Sequence, residues 1–157
     1  MKRRVAIAGN GAWGQALAHV ARTAGHEVGM WSRKYSDVAS FESFDAIIVA
    51  VPAQAVRDVL GVIKPPKNIP IIISAKGIER ASARFMNEVV AEIVPGAQVF
   101  VLSGPSFASD VLKAMPTAVT LAAPTLAEAG EWRRRSAFPR FGFMAPMMFW
   151  ALKSGAL

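Results

Sequence analysis

The sequence has no cysteine, which excludes a disulfide scaffold and any metal site built on thiolates, and fits a reducing compartment; a cytoplasmic protein is the expectation. Histidine is scarce as well. His19 and His26 are the only two, and neither has a second histidine or a carboxylate placed to complete a metal site, so both read as structural and no metal is expected. Long hydrophobic runs are missing. The basic start Met1-Lys2-Arg3-Arg4 resembles the beginning of a signal peptide, but the apolar run behind it is four residues long and ends in glycine. The apolar stretch from Phe138 to Trp150 is too short at its centre to span a bilayer.

Acidic residues are outnumbered, and the net charge is +7. The excess is concentrated after Gly130, where five basic residues face a single acidic one. A nucleic-acid surface would spread basic residues along one face and interleave aromatics for stacking on bases. Only Arg133-Arg134-Arg135 approaches that pattern, and a solvated charge run explains it, so no nucleic-acid partner is expected.

What remains is ample apolar material for one domain, 53% of 157 residues. Val5-Ala6-Ile7-Ala8 is short, uninterrupted and stopped by Gly9, as a strand buried on both faces should be. Trp13 to Ala24 has apolar residues at helical spacing and is closed by Gly25. Strands are then expected at Val28–Trp31, Ala46–Val51, Ile69–Ser74 and Gln98–Leu102, with helices at Gln54–Leu60 and Ala81–Ile93. This alternation predicts an α/β fold of the Rossmann type, a doubly wound, mainly parallel sheet wrapped by helices.

At the first strand-to-helix turn stands Gly9-Asn10-Gly11-Ala12-Trp13-Gly14, a G-x-G-x-x-G in the context that makes it specific for a dinucleotide. The first glycine serves a tight turn, the second lets a pyrophosphate approach the backbone, and the third lets helix and strand pack closely. The helix N-terminus behind them offers free amides and a partial positive charge. At the end of the second strand an acidic residue would hold a ribose hydroxyl, but Trp31-Ser32-Arg33-Lys34 stands there. Arg33 suits a ribose phosphate, which favours NADP over NAD; the alternatives are a solvated arginine or one stacked on the adenine.

Two further segments follow strands at the edge where open parallel sheets bind ligands. Ser74-Ala75-Lys76-Gly77-Ile78 could set the Lys76 ammonium against a phosphate or a developing alkoxide, or simply carry a surface lysine. Ser103-Gly104-Pro105-Ser106-Phe107-Ala108 could cradle a small anion or be an ordinary tight turn.

Taken in order, the glycine turn with Trp13, Trp31-x-Arg33, Val51-Pro52-Ala53-Gln54, Ala75-Lys76-Gly77-Ile78-Glu79, the Ser103 to Ala108 hexapeptide and Pro116-Thr117-Ala118 resemble bacterial NAD(P)-dependent glycerol-3-phosphate dehydrogenases. The resemblance covers roughly residues 3 to 130. It implies that Ala12, Trp13, Arg33, Lys76 and Ala108, with Gly9, Gly11 and Gly14, line the cofactor site, and that Lys76, Gly104 and Ser106 hold glycerol 3-phosphate or dihydroxyacetone phosphate. It further implies reversible hydride transfer between NAD(P)H and dihydroxyacetone phosphate, a step toward phospholipid head groups, and leaves a homo-oligomer open.

The sequence departs from the family twice. The connection from Arg33 to Asp45 is short where family members have a longer helix and strand. The family also continues into a helical substrate domain bearing its catalytic lysine in a Gly-Ala-x-Lys-Asn segment, whereas this chain ends at Leu157, so no catalytic residue is assigned and an impaired or inactive chain is expected. Residues 1–130 are therefore read as the NAD(P)-binding domain and 131–157 as a tail foreign to the family.

Methionine and tryptophan have one codon each, which nearly fixes the bases under Met147-Met148-Phe149-Trp150-Ala151. Begun one base before Met147, they encode x-Asp-Val-Leu-Gly. With permitted choices at the free bases, the same frame from Phe141 onward reads Arg-Val-Tyr-Gly-Ala-Asp-Asp-Val-Leu-Gly-Val-Glu-Ile-Gly, which resembles the family's segment before its catalytic lysine. A frameshift between about Ala129 and Phe138 is the expectation, with the family's own tail lost, and Lys153 is then not the catalytic lysine. A divergent tail that packs on the domain or mediates dimerisation is the alternative. Three functional classes stay open: an oxidoreductase by descent, a stand-alone NADP-binding module without catalysis, and an aggregation-prone fragment.

Overall fold

The computed structural model describes residues 2–104, 107–128, 130 and 141–148, the last stretch as backbone. Eight strands form one sheet: β1 (Arg4–Ala8), β2 (Glu27–Ser32), β3 (Tyr35–Ser36), β4 (Ala46–Val49), β5 (Ile71–Ile73), β6 (Val99–Ser103), β7 (Thr117–Ala123) and β8 (Phe141–Met148). The helices α1 (Ala12–Thr23), α2 (Val56–Ile63), α3 (Met86–Ile93) and α4 (Ala108–Leu112) accompany them, and residues 126–128 are helical as well. The spatial order is β3-β2-β1-β4-β5-β6-β7-β8. β2, β1, β4, β5 and β6 run parallel, as the alternating pattern predicts.

Each parallel strand divides its side chains between two cores. Val5 and Ile7 of β1 join Leu17 and Val20 of α1 and Val111 of α4 on one face. Ala6 and Ala8 join Val59 and Leu60 of α2 and Val89 and Val90 of α3 on the other. Helices on both faces explain why these strands are apolar without alternation. β1 lies between β2 and β4, so the chain leaves it in opposite directions along the sheet, the switch point at whose carboxyl edge open parallel sheets generally bind ligands.

Several boundaries differ from the sequence-based expectation. The helix predicted from Ala81 starts at Met86. Residues 79–84 instead form a turn closed by the Glu79 N–H donating to the Arg84 carbonyl at 2.9 Å, with Ala83 at φ 54°. Glu88 then accepts from the Phe85 N–H at 2.9 Å, which fixes where α3 begins. The helix predicted at Gln54–Leu60 is a 3-10 turn at Ala53–Ala55 followed by α2, which ends at Ile63 and is capped by Lys64 in the left-handed region (φ 44°) ahead of two prolines. Strands predicted to run to Val51 and from Ile69 are shorter at those ends, β4 stopping at Val49 and β5 starting at Ile71.

Elements without a predicted counterpart are α4, β7 and β3. β7 runs antiparallel to β6, Leu102 facing Leu121 in register. The tail, for which no element was predicted, contributes β8 parallel to β7, with Thr117 opposite Phe141.

The short connection from Arg33 to Asp45 is covered in an unusual way. Phe44 lies flat on β2, against Gly29, where a Cβ would come within 2.6 Å of the ring. Val38, Phe41 and Trp31 pack into the same core, and Arg4 stacks on the outer face of the Phe44 ring at 5.0 Å. The Phe44 ring thus closes this part of the sheet together with Val38, Phe41 and Trp31.

Candidate functional site

The carboxyl ends of β1, β4, β5 and β6 lie along one edge of the sheet, because these strands are parallel. Gly9, Ala50, Ser74 and Gly104 follow directly after them.

The glycine turn is a tight mechanical fit. Gly9 has φ 130°, and a Cβ there would lie 2.2 Å from the Ala50 carbonyl oxygen. Its N–H donates to the Trp31 carbonyl at 2.7 Å. A Cβ on Gly14 would lie 2.0 Å from the Gly9 carbonyl oxygen. Gly11 is different: a Cβ there would meet nothing within 4 Å. Two glycines are needed by the protein's own packing, and the third faces open space at the start of α1.

Gly11 is also the N-cap of α1. No side chain caps the helix and no acidic residue occupies its first turn. The first-turn amides and the positive end of the helix dipole therefore face outward beside Gly11. Ala12 is exposed, and Trp13 is half-buried against the core shared by α1 and α4. Ala108, the first residue of α4, packs on that same core, so the predicted cofactor residues Trp13 and Ala108 are brought to one side of the sheet.

Lys76 and Gly104, predicted together, are in contact: the Lys76 Nζ donates to the Gly104 carbonyl at 2.9 Å. Gly104 has φ 151° and is hemmed in, a Cβ there lying 2.9 Å from the Ala118 carbonyl oxygen. That places the first residues of β7, within Pro116-Thr117-Ala118, beside the same turn. Pro105 and Ser106 lie outside the described residues, as do 131–140 and 149–157, including Lys153.

Arg33 occupies the tight turn between β2 and β3. Its Nη2 lies 3.6 Å from Asp58 Oδ2 on α2, with both side chains about 70% exposed at 68% and 70%. A guanidinium and a carboxylate so open to water attract one another weakly.

Sequence reasoning missed a polar cluster beneath the Lys76 loop. Arg57 on α2 grips the Glu79 carboxylate with two bonds, Nε to Oε1 at 2.8 Å and Nη2 to Oε2 at 2.9 Å, and also reaches Glu92 at 3.0 Å. Arg84 pairs with Glu92, and the Ser82 hydroxyl donates to Glu79. Glu79 is buried, and the Arg57 and Ser82 hydrogen bonds hold its carboxyl down at about 2, from an ordinary 4.5. Glu92 is lowered too, chiefly by Arg57, and Arg57 itself is pushed above its usual value. The neighbouring Gln54 clasps the same loop, its Nε2 donating to the Ile78 carbonyl at 2.8 Å and its Oε1 accepting from the Arg80 N–H at 2.9 Å. The signal available in the sequence was only the presence of Gln54 and Glu79 inside the motif segments.

The two histidines stand apart from this edge. His26 is buried and its Nδ1 accepts from the Arg3 N–H at 3.2 Å, whereas His19 is exposed on α1. An open groove lined by His19, Val20, Val111, Met115 and Thr117 runs between α1 and the start of β7, and none of the predicted site residues lines it. Among the described residues no three acidic or histidine side chains gather as a metal site, and no helix is long and apolar enough to cross a membrane.

Comparison with known proteins agrees with this geometry. The family described as "NAD-dependent glycerol-3-phosphate dehydrogenase N-terminus" matches residues 4–44 and 35–129. Glycerol-3-phosphate dehydrogenase [NAD(P)+] of Parvibaculum lavamentivorans is 38% identical over 159 residues, covering 81% of this chain and 48% of its own length. The enzyme of the same name from Brucella ovis is 37% identical over 153 residues, covering 78% of this chain and 47% of its own length. Among solved structures, glycerol-3-phosphate dehydrogenase from Coxiella burnetii superposes with a TM-score of 0.76 at 28% identity, over 94% of this chain and 53% of that one. A putative F420-dependent NADP-reductase from an Arthrobacter species shares the fold, with a TM-score of 0.74 at 13% identity, over 98% of this chain and 88% of that one.

The chain spans about half the length of the curated relatives it matches. Since 81% of 157 residues is about 127, the Parvibaculum protein uses about 30 residues more over the matched region. The two family matches overlap over 35–44. The chain belongs to the NAD-dependent glycerol-3-phosphate dehydrogenase family and corresponds to its N-terminal, NAD(P)-binding domain.

Proposed function

We propose that residues 1–130 bind NAD(P)H along the carboxyl edge of the sheet, with the pyrophosphate over Gly11 and the first turn of α1. The observation that carries this is the contrast among the three glycines. Gly9 and Gly14 are locked by backbone contacts, while Gly11 opens onto uncapped helix amides, the arrangement an anion needs. Ala12, Trp13 and Ala108 would line the cofactor site, with Arg33 toward the adenosine. Its guanidinium supports NADP over NAD, because the turn carries no acidic residue to hold a ribose hydroxyl.

Lys76, Gly104 and Ser106 would hold the phosphate-bearing substrate, glycerol 3-phosphate or dihydroxyacetone phosphate. Lys76 is already anchored at that turn, so its charge is directed without further ordering. The bound nucleotide would supply the hydride, and these residues would orient the substrate and offset its charge. By family resemblance the catalytic lysine belongs to a segment outside residues 1–130, so residues 1–130 by themselves would bind nucleotide with little or no turnover. The cysteine-free composition supports a cytoplasmic setting. Residues 131–157 we read as translated in a shifted frame. A stand-alone NADP-binding module without catalysis is the second reading, favoured by the pairing of β8 with β7.

Isothermal titration of the purified chain with NADPH and NADH, followed by an assay of NADPH oxidation with dihydroxyacetone phosphate, tests the proposal. Binding without turnover is the expected result. Failure to bind either nucleotide would overturn it, and turnover at ordinary dehydrogenase rates would show that this chain carries the catalytic group after all.

A further inference from the structure

The loop bearing Lys76 is fixed at both ends, and one of its two anchors is a side chain from outside the loop. We propose that Gln54 is a positioning residue, holding Lys76 in place for nucleotide and substrate binding; this rests on the dinucleotide reading above.

At the strand end, the Ser74 N–H and hydroxyl both donate to the Val49 carbonyl, each at 3.0 Å. At the far end, the Gln54 amide takes the Ile78 carbonyl and the Arg80 N–H at once. Glu79, between those two, is held from beneath by Arg57. Only residues 75–77 span the gap, and Gly77 supplies its bend at φ 105°. A three-residue segment pinned at both ends has few conformations, so the reach of Lys76 toward Gly104 is settled before any ligand arrives.

Gln54 is exposed, whereas Glu79 is buried and Arg57 half-buried, which separates its role from theirs. Losing its amide releases the Ile78 carbonyl and the Arg80 N–H without opening the core, while the Ile78–Phe85 bridge and the Arg57 grip on Glu79 remain. Lys76 would then have to be ordered at the moment of binding, and affinity falls by the cost of that ordering.

The test is a double-mutant cycle in the full chain with Gln54→Met, which keeps the volume and removes both bonds, and Lys76→Met, read by NADPH titration, thermal melting and amide exchange. Gln54→Met is expected to weaken NADPH binding roughly fivefold, as the loss of one to two hydrogen bonds predicts. The melting temperature should shift by no more than about 2 °C, while the Arg80 amide exchanges faster. In the Lys76→Met background Gln54→Met should change affinity by less than about 1.5-fold, because its effect passes through Lys76. Equal weakening in both backgrounds, no weakening in either, an unaffected Lys76→Met, or a melting point lowered by many degrees would each overturn the proposal. If the unmodified chain binds no nucleotide, the dinucleotide reading itself falls and takes this proposal with it.

Discussion

A Cβ placed on Gly14 would sit 2.0 Å from the carbonyl oxygen of Gly9, so the first turn of α1 and the end of β1 touch through backbone alone. No rotamer change can relieve a clash with a carbonyl. Gly14→Ala is expected to destabilise the fold by about 3 kcal/mol, seen in thermal melting. Gly11→Ala should fold normally, since its Cβ meets nothing, yet weaken NADPH binding roughly tenfold, about 1.4 kcal/mol, by filling the space for the pyrophosphate. Normal NADPH affinity in Gly11→Ala would remove the pyrophosphate from that position.

Arg33 and Asp58 set up a competition for the adenosine end. A ribose phosphate at Arg33 must share the guanidinium with a carboxylate 3.6 Å away. Arg33→Ala should weaken NADPH roughly tenfold and leave NADH within about twofold. Asp58→Asn should tighten NADPH by at most about fivefold, the range expected of an exposed ion pair. Equal changes for both nucleotides in parallel titrations would show that Arg33 does not read the ribose.

Acid should undo the Glu79 cluster. Glu79 titrates near 2 in the folded chain and near 4.5 when free. Its contribution to stability is therefore complete above about pH 4.5 and is lost as pH falls from there toward 2. Glu92, lowered in the same direction, reinforces the trend. Denaturation measured between pH 6 and 2.5 should show stability falling with acid, and Glu79→Gln should flatten that slope; an unchanged slope would mean that other carboxylates govern acid unfolding.

Phe44 is the ring that packs directly on Gly29 of β2. Phe44→Ala is expected to cost about 3–5 kcal/mol, the range for removing a buried aromatic ring. Chemical denaturation would measure it, and a loss below about 1 kcal/mol would mean that Val38 and Phe41 close the gap unaided.

The reading frame of the tail is open to direct test. Resequencing the gene across codons 128 to 157 should reveal an inserted or deleted base between about Ala129 and Phe138. An unchanged frame, with no related frame overlapping it downstream, would sink the frameshift proposal.

The glycine turn was legible from sequence because its logic is local: three glycines within six residues, between an apolar strand and an amphipathic helix. The pairing of Lys76 with Gly104 could be anticipated as shared location, since both follow parallel strands. Gln54 could not, because its partners lie 24 and 26 residues away, and nothing in its neighbourhood shows that its amide will meet them. The overlong helix at Ala81 came from residues that tolerate a helix, overridden by the Glu79–Arg84 turn and a left-handed Ala83. β7 escaped because Thr117–Ala123 is built mostly of alanine and threonine, with Val119 and Leu121 its only larger apolar residues.

β3 is two residues long and is held in its hairpin by Ser32, whose hydroxyl accepts from the Tyr35 N–H at 3.1 Å. An outer strand this short presents too few unpaired amides and carbonyls to template a strand from another molecule. Where β3 caps Trp31 and Ser32 of β2, that margin of the sheet is a poor starting point for edge-to-edge aggregation.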